Sequence, residues 1–299
     1  MSVAQLEQPV MGAPLKQTKS RSELTQSWRR FRANRAAVIG LCFIFFVCFL
    51  AIFANLLMPY DPYHSYPGMR GVGPSLAHPM GFDHIGRDLM TRVVYGSRIA
   101  LLVGIGATLI SVVLGVLVGA LSGYFGGGVD TVLSRIVDAL MAFPLLVLLI
   151  VLAFVLGPGL GKTIAIIGLT TWATFSRVVR ADVMALRKSE FVTAARATGV
   201  PDYRIIFRHM LPNVLGPVIV LATLGIGGII ILESTLSFLG LGIQPPTASW
   251  GGIMADGRAL IRQYPLITFF PGMMIFLTVL AFNLLGDGLR DALDPRQRG

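Results

Sequence analysis

The chain alternates between long apolar runs and short polar segments. Each run is about 20 residues or longer, enough for an α-helix to cross the roughly 30 Å hydrocarbon core of a bilayer. The runs do not alternate apolar and polar positions, which excludes the strands of a membrane barrel. Six transmembrane helices are predicted: Ala36–Met58, Ile99–Leu121, Val132–Leu156, Thr163–Val183, Asn213–Leu239 and Pro265–Leu285. We therefore expect an all-α, polytopic membrane protein.

Composition supports this class independently of the pattern. Hydrophobic residues make up 54% of the chain and charged residues 13%, the latter about half the share in soluble proteins. The first 35 residues are polar and basic and contain no apolar core of a cleavable signal peptide. Cys42 and Cys48 both lie in the first apolar run, six residues apart, so they face different sides of a helix and predict no disulfide or metal pair.

The basic residues are distributed unevenly between the two sides. Seven Lys and Arg precede the first run and seven lie between Arg177 and Arg208; Arg135 and three arginines of the C-terminal tail join them if the spans alternate. The positive-inside rule makes this side cytoplasmic. The chain is thus expected to have both termini in the cytoplasm. The net charge of +10 then reports orientation, and nucleic-acid binding is not expected because no compact basic domain carries it.

A polar, basic segment, EFVTAARATGVPDYRIIFRHMLP, interrupts the apolar runs at Glu190–Pro212. It predicts two short helices: one near Ser189–Thr198 that ends at Gly199, and one from about Asp202 to Met210 that Pro212 closes. We expect Tyr203, Ile206 and Met210 to share one face of the second helix. Adjacent small residues in the first helix permit close approach by another protein. The pattern is that of a docking element rather than a catalytic site.

This segment resembles the EAA loop of permease subunits in binding-protein-dependent ABC importers, where the loop is the coupling helix seated in a cytoplasmic ATPase. Six positions match the loop: Glu190, Ala194, Ala195, Gly199, Leu211 and Pro212. The resemblance implies the type I ABC importer permease fold. It also implies that these six residues either contact the ATPase or position the residues that do. The interpretation as an ordinary cytoplasmic loop with chance small residues remains the alternative.

Three further stretches resemble permeases of the dipeptide, oligopeptide and nickel subgroup, and the second and third resemble its C-type subunit. They are GFDHIGRDLMTRVVYGSRIA from Gly81, LSFLGLGIQPPTASWG from Leu236 and FNLLGDGLRDALDP from Phe282. In the first, we expect Arg87, Asp88 and Arg92 to pin the loop to the mouth of the second span by salt bridges, with a substrate role as the less favoured interpretation.

The resemblance implies a transport subunit of the bacterial inner membrane that is not itself an enzyme. It would work with a B-type permease, two ATP-binding subunits that hydrolyse ATP, and a substrate-binding protein, and would import dipeptides, oligopeptides or glutathione-like peptides. A nickel chelate or another small solute is the alternative cargo. A self-contained secondary transporter or channel is the alternative from a different class, although no inverted repeat with paired broken helices is visible. The sequence does not identify the solute.

The chain is accordingly divided into five parts. A cytoplasmic basic tail occupies residues 1–35, the first transmembrane helix 36–58 and an extracytoplasmic loop 59–98. A five-helix core follows at 99–286 and contains the candidate coupling segment, residues 187–212. A cytoplasmic tail ends the chain at 287–299.

No cofactor, metal or nucleotide site is expected. His64, His78 and His84 share the extracytoplasmic loop, but their spacing matches no compact metal-ligand motif. The stretch LGPGLGKT ends like a phosphate-binding loop, yet Leu156 stands where that motif requires glycine. Glu233 is the acid of interest within an apolar run. It either hydrogen-bonds a neighbouring helix or lines the translocation pathway.

Overall fold

The computed structural model describes residues 23–293, and within that range the chain is helical with no β-strand. The expected all-α fold is confirmed. In chain order the α-helices are α1 Glu23–Ala33, α2 Arg35–Leu57, α3 Leu89–Phe125, α4 Gly127–Ala142, α5 Leu145–Leu156, α6 Leu160–Leu186, α7 Glu190–Ala197, α8 Asp202–Arg204, α9 Leu211–Phe238, α10 Trp250–Gly257 and α11 Leu266–Leu293. A π-helical stretch, Ile205–Met210, joins α8 to α9, and a short 3₁₀ turn, Arg258–Leu260, follows α10.

The count of six spans is not fully confirmed. Four unbroken helical stretches in the described range are long and apolar enough to cross a membrane: α2, α3, Asp202–Phe238 and α11. The third expected span is broken into α4 and α5, which meet at 86°. Phe143 adopts an extended conformation there because the ring of Pro144 disfavours helical geometry in the residue before it. The fourth, α6, has 27 residues, but its Lys and Arg residues make it less apolar than the others.

Helices extend further than the apolar runs at several boundaries. The helix α3 begins at Leu89, ten residues before the expected start, because Asp88 caps it through a hydrogen bond from the Thr91 amide. The helix α11 continues to Leu293, so residues 287–293 are helical rather than a separate tail. Part of the N-terminal tail also folds, as α1, whose Phe31 packs against Ala37 and Ala292.

Contacts between helices establish their relative directions. Gly40 of α2 lies against Ala281 of α11, and Gly227 of α9 lies against Phe282, in antiparallel pairings. In contrast, α3 and α6 run in the same direction, since Ser111 contacts Gly168 and positions further along α3 contact positions further along α6. The start of α2, the end of α3, the segment 187–212 and the end of α11 therefore lie at one end of the bundle.

Close approach between α3 and α6 depends on small residues one helical turn apart. Gly115, Gly119 and Gly123 of α3 face the backbone of α6. A Cβ atom at Gly119 would lie 2.6 Å from the Ser176 carbonyl oxygen, and one at Gly123 would lie 2.8 Å from that of Arg180. This stripe of small residues lets the two backbones pack closely. In a membrane, where the hydrophobic effect does not drive helices together, such packing stabilises their association.

Candidate functional site

The first helix of the candidate coupling segment is α7, and it contacts the bundle through one narrow face. Val192 is its one buried residue, fully enclosed. Glu190, Phe191 and Ala194 are exposed, and Ala195 is half-buried. Glu190 lies in the first turn, where a carboxylate is favoured by the helix dipole. The helix therefore presents a free surface with one acid, one aromatic ring and small side chains.

A Schellman turn ends α7, as predicted for Gly199. The amide of Val200 bonds to the carbonyl of Ala195 at 3.1 Å, and that of Gly199 bonds to Arg196 at 3.0 Å. Gly199 has a φ of +77°, a conformation that costs glycine little and other residues more. Space around it is open, because a Cβ atom added at this position would meet nothing within 4 Å beyond its chain neighbours. The backbone angle, not crowding, makes glycine the suitable residue here.

The second half of the segment differs from the expected short helix. Pro212 does not close it; Pro212 lies in the first turn of α9, where its missing N–H is tolerated. The switch from π to α geometry, with the Leu211 amide bonded to Ile206, carries the helix past the proline. The chain is helical without a break from Asp202 to Phe238. Ile206 and Met210 are buried, whereas Tyr203, expected on the same face, is exposed.

Buried apolar side chains seat the segment on the ends of α3 and α6. They form one cluster that joins the segment to the bundle: Ala120, Tyr124, Val179, Val183, Val192, Ile205, Ile206, Met210, Val214 and Val218. Movement of α7 relative to the bundle would have to rearrange this cluster. The segment is thus mechanically connected to three membrane helices.

Polar contacts add to that connection at the same end of the bundle. The Tyr124 hydroxyl, on the last turn of α3, donates a hydrogen bond to Asp202, and the Arg196 guanidinium lies 4.8 Å from the centre of the Tyr124 ring. Nearby, Arg180 of α6 donates two hydrogen bonds to Asp130 of α4. None of these pairs was identified from the sequence. The partners lie 50 to 78 residues apart, and no spacing rule relates them.

The opposite end of the bundle carries an ion-pair cluster formed by Asp83, Arg87, Arg92 and Asp256. Arg87 Nε lies 2.5 Å from Asp83 Oδ2, and Arg87 Nη2 lies 3.1 Å from Asp256 Oδ2. Arg92 Nε is 3.4 Å from the same Asp83 oxygen. The expected attachment of the loop to α3 by salt bridges is confirmed, but the acidic partners of the arginines are Asp83 and Asp256. Asp88 is not an arginine partner; it caps α3 and contacts His78 Nδ1 at 2.7 Å.

The loop histidines are divided among different contacts. His78 is paired with Asp88, and the ring of His64 meets Tyr66 edge-on. His84 lies near Asp83 and Asp256, with candidate ligand atoms within 4.8 Å of one another. Both carboxylates already face Arg87 and Arg92, and two guanidinium groups oppose the binding of a cation at the same oxygens. The geometry is that of a salt-bridge network.

Glu233 is 1% exposed and bonds within its own helix. Its Oε1 accepts a hydrogen bond of 2.7 Å from Ser237, and its Oε2 accepts one of 3.3 Å from Ser234. Ser237 in turn accepts a bond from the Ile243 amide, which folds the chain back after α9. The side chain faces the interior of this chain, so the geometry favours the structural alternative for Glu233 over a position on the pathway.

The glycine-rich stretch that resembles a phosphate-binding loop joins α5 to α6. Gly157 and Gly159 adopt φ angles of +74° and +143°. Lys162 Nζ donates a hydrogen bond of 2.7 Å to the carbonyl of Leu156, so the lysine closes the end of α5. The turn lies at the end of the bundle opposite the coupling segment.

Comparison with known proteins decides among the alternatives. Residues 90–299 match the family described as binding-protein-dependent transport system inner membrane component. The chain belongs to this family. Residues 22–79 of the permease also match the N-terminal transmembrane domain of oligopeptide transport permease C. It is therefore a permease subunit of an ABC importer, a transport component and not an enzyme, and the alternative of a self-contained secondary transporter is wrong.

Curated relatives span nearly the whole permease. It is 41% identical to the dipeptide transport system permease protein DppC of Alkalihalophilus pseudofirmus, over 97% of this chain and 96% of that one. It is 40% identical to the glutathione transport system permease protein GsiD of Pectobacterium atrosepticum, over 92% of each. Bacillus subtilis DppC is 41% identical over 93% of this chain and 88% of its own.

Among solved structures, an inward-facing MetNI methionine ABC transporter chain is similar to the permease. The TM-score is 0.57 at 18% identity, over 69% of this chain and 98% of that one. This similarity establishes the shared fold of an ABC importer permease. Family membership and the apolar helices together make the permease a multi-pass inner-membrane protein. Membership of this family also implies ATPase and substrate-binding partners.

Proposed function

We propose that this chain is the C-type permease of an ATP-driven importer of peptides. The observation that carries the proposal is the identity of about two residues in five, over more than nine-tenths of the chain, with both dipeptide and glutathione permeases. Both cargoes are short, zwitterionic peptides. A permease for either must pass amide groups and both termini, while a separate binding protein selects the solute.

The coupling segment, residues 187–212, is proposed to dock on a cytoplasmic ATPase through α7. Three features support this role: α7 is exposed on one face, is joined to α3, α6 and α9 by buried side chains, and matches the EAA loop. Glu190, Ala194 and Ala195 lie on α7 and would meet the ATPase. Gly199 sets the angle of the turn, and Leu211 and Pro212 lead into α9. Closure of an ATPase dimer on ATP would push α7 and move the helices that it contacts.

We propose a cytoplasmic location for both termini and the coupling segment. Helix directions support it, because the start of α2, the end of α11 and the coupling segment lie at the same end of the bundle. The basic residues concentrate at that end, as expected for the inner face. The loop that precedes α3, with its ion-pair cluster, would then face outwards, where a binding protein delivers its solute.

The assembly is proposed to be a heteromer with one copy of this chain, one B-type permease and two ATPase subunits. Five or six spans are half of what two permeases enclosing one pathway require, and the sequence is of the C type. Many large apolar side chains of α4 and α5 are exposed, such as Val147 and Phe154, and so is Phe143 at the bend between the two helices. This leaves surface for lipid and for a second permease. Native mass spectrometry should show a 1:1 permease pair; an active complex with two copies of this chain and no other permease would reject it.

The peptide assignment is tested by uptake into proteoliposomes that contain the complete complex. The permease is co-expressed with its B-type permease, ATPase and binding protein, and uptake of a labelled dipeptide, glutathione and a nickel chelate is compared. ATP-dependent uptake of either peptide supports the proposal and identifies the class. Uptake of the nickel chelate alone would contradict it. Complexes without binding protein provide the baseline.

A further inference from the structure

Tyr124 lies where the longest transmembrane helix meets the coupling segment. It is in the last turn of α3 and is 2% exposed. It packs in the apolar cluster with Val192 of α7 and Ile205 beyond the turn. A tyrosine buried at the end of a helix, among apolar side chains, needs a partner for its hydroxyl group.

That partner belongs to the coupling segment. The Tyr124 hydroxyl donates its hydrogen bond to the carboxylate of Asp202, the first residue of α8. The face of the same ring receives Arg196, on the last turn of α7, at 4.8 Å from the ring centre. One side chain thus contacts both sides of the Gly199 turn.

Few other contacts hold α7 in place. The helix has eight residues and one buried side chain, Val192, and helices this short are unstable alone. The second half of the segment is different, because it continues without a break into α9. The contacts of Tyr124 with Arg196 and Asp202 therefore tie the weakly held α7 to the firmly held start of α8.

The helix α3 extends from this point to the other end of the bundle. Its 37 residues span roughly 55 Å at 1.5 Å per residue. At the far end Arg92 joins the ion-pair cluster, and the Val93 carbonyl accepts a 2.8 Å hydrogen bond from the Trp250 indole. A displacement at Tyr124 would move a continuous helix that is fastened at both ends.

We propose that Tyr124, Asp202 and Arg196 form a clasp that sets the angle between α7 and α8 and passes the displacement of the coupling segment to α3. This inference rests on the proposed function of the coupling segment. The three are positioning residues: they touch neither nucleotide nor solute. The clasp lets ATP-driven movement of α7 reach α3 directly, in addition to the route through the backbone into α9.

The test uses the complete complex with Tyr124→Phe, which keeps the ring beneath Arg196 and removes the hydroxyl. The expected result is normal co-purification of the ATPase and normal complex yield, but about tenfold less peptide transported per ATP hydrolysed. A tenfold change is the size expected when one of two conformational states loses a hydrogen bond to a charged acceptor. Asp202→Ala should reduce the ratio similarly, and the double variant should be no worse than either one, since both remove the same bond.

Tyr95→Phe is the matched control. Tyr95 is also on α3, near its other end, and its hydroxyl donates a hydrogen bond of 2.7 Å to the side-chain amide oxygen of Asn55 on α2, so the change likewise removes an interhelical hydrogen bond of a tyrosine hydroxyl. It should leave transport per ATP at the wild-type value. Normal transport per ATP in Tyr124→Phe, or a fall that follows lower melting temperature and complex yield, would overturn the clasp.

Cross-linking separates this outcome from failure of the proposed function. A cysteine introduced at the exposed Ala194 should cross-link to the ATPase in otherwise wild-type complexes and in Tyr124→Phe. Cross-linking with normal transport per ATP in Tyr124→Phe rejects the clasp alone. Absence of cross-linking in an active wild-type background rejects both the docking of α7 and the clasp that depends on it.

Discussion

Arg87 donates a hydrogen bond of 3.1 Å to Asp256, a residue 169 positions later in the chain. This contact joins the loop that precedes α3 to the helix α10 that precedes the last span. Asp83 completes the arrangement: its Oδ1 accepts the amides of Ile85 and Arg87 at 2.9 Å each, while its Oδ2 faces two guanidinium groups. The far end of α3 is consequently held by a nearly buried charge network.

The two carboxylates of this network should differ in their contribution to stability. Asp83 is 1% exposed, whereas the Asp256 side chain is 24% exposed. Asp83→Asn should cost about 3–5 kcal/mol, because it leaves buried guanidinium charge uncompensated. Asp256→Asn should cost about 1–2 kcal/mol, since water can replace part of the interaction. Melting of the purified complexes provides the comparison, and equal losses would contradict this ranking.

Gly199→Val should weaken docking of the ATPase and lower transport with it, while leaving the membrane helices folded. Valine is strained at a φ of +77°, although its side chain has open space. The expected result is an altered turn, ATPase co-purification reduced several-fold and transport reduced with it. Gly161→Val is the control, because that glycine is also unhindered but does not have a positive φ. If Gly199→Val keeps wild-type ATPase association and transport, the conformation of this turn is not needed for coupling.

Charge reversal at Glu190 tests the docking face itself. Glu190→Lys places a cation in the first turn of α7, where the helix dipole makes it unfavourable by about 0.3–1 kcal/mol, and reverses the charge presented to the ATPase. ATPase association should weaken, while the permease pair remains intact by native mass spectrometry. Thr193→Lys adds a cation at another exposed position of the same helix and separates the two effects. Equal weakening by both changes would mean that added charge, not loss of Glu190, is responsible.

Glu233→Gln should have little effect on transport by each folded complex. The amide oxygen of glutamine can still accept the hydrogen bond from Ser237, so the turn after α9 is retained. Ser237→Ala should be more harmful, because the Ile243 amide loses its acceptor and Glu233 loses one of its two donors, at a cost of about 1–3 kcal/mol. If Glu233→Gln instead reduces uptake of cationic peptides at unchanged melting temperature, Glu233 lies on the pathway.

Gly119→Val should separate α3 from α6. A Cβ atom at this position would lie 2.6 Å from the Ser176 carbonyl oxygen, a backbone atom that cannot turn aside. Complex yield and melting temperature should both fall. The control Gly128→Val places the same side chain on α4, where nothing lies within 4 Å, and should behave like the wild type. Equal losses in both variants would show that the change in side chain, not the close contact, is responsible.

The sequence alone determined the class of protein and the location of the short helix α7 with its Gly199 turn. Apolar runs long enough to cross a bilayer require helices, because a backbone in hydrocarbon must satisfy its own hydrogen bonds. Gly199 was predicted to end α7 because its backbone conformation is local and glycine accepts it at low cost. Family resemblance through Glu190, Ala194 and Ala195 likewise depended on residues close together in the chain.

Only the tertiary structure decided which distant groups meet. Asp88 was expected to help pin the loop by a salt bridge, but it caps α3 instead, and Arg87 pairs with Asp256 from another part of the chain. Pro212 was expected to end a helix, yet the π turn before it allows the helix to continue. The contact of Tyr124 with Asp202 spans 78 residues. Such contacts result from how the helices pack, and neither propensity nor local spacing encodes them.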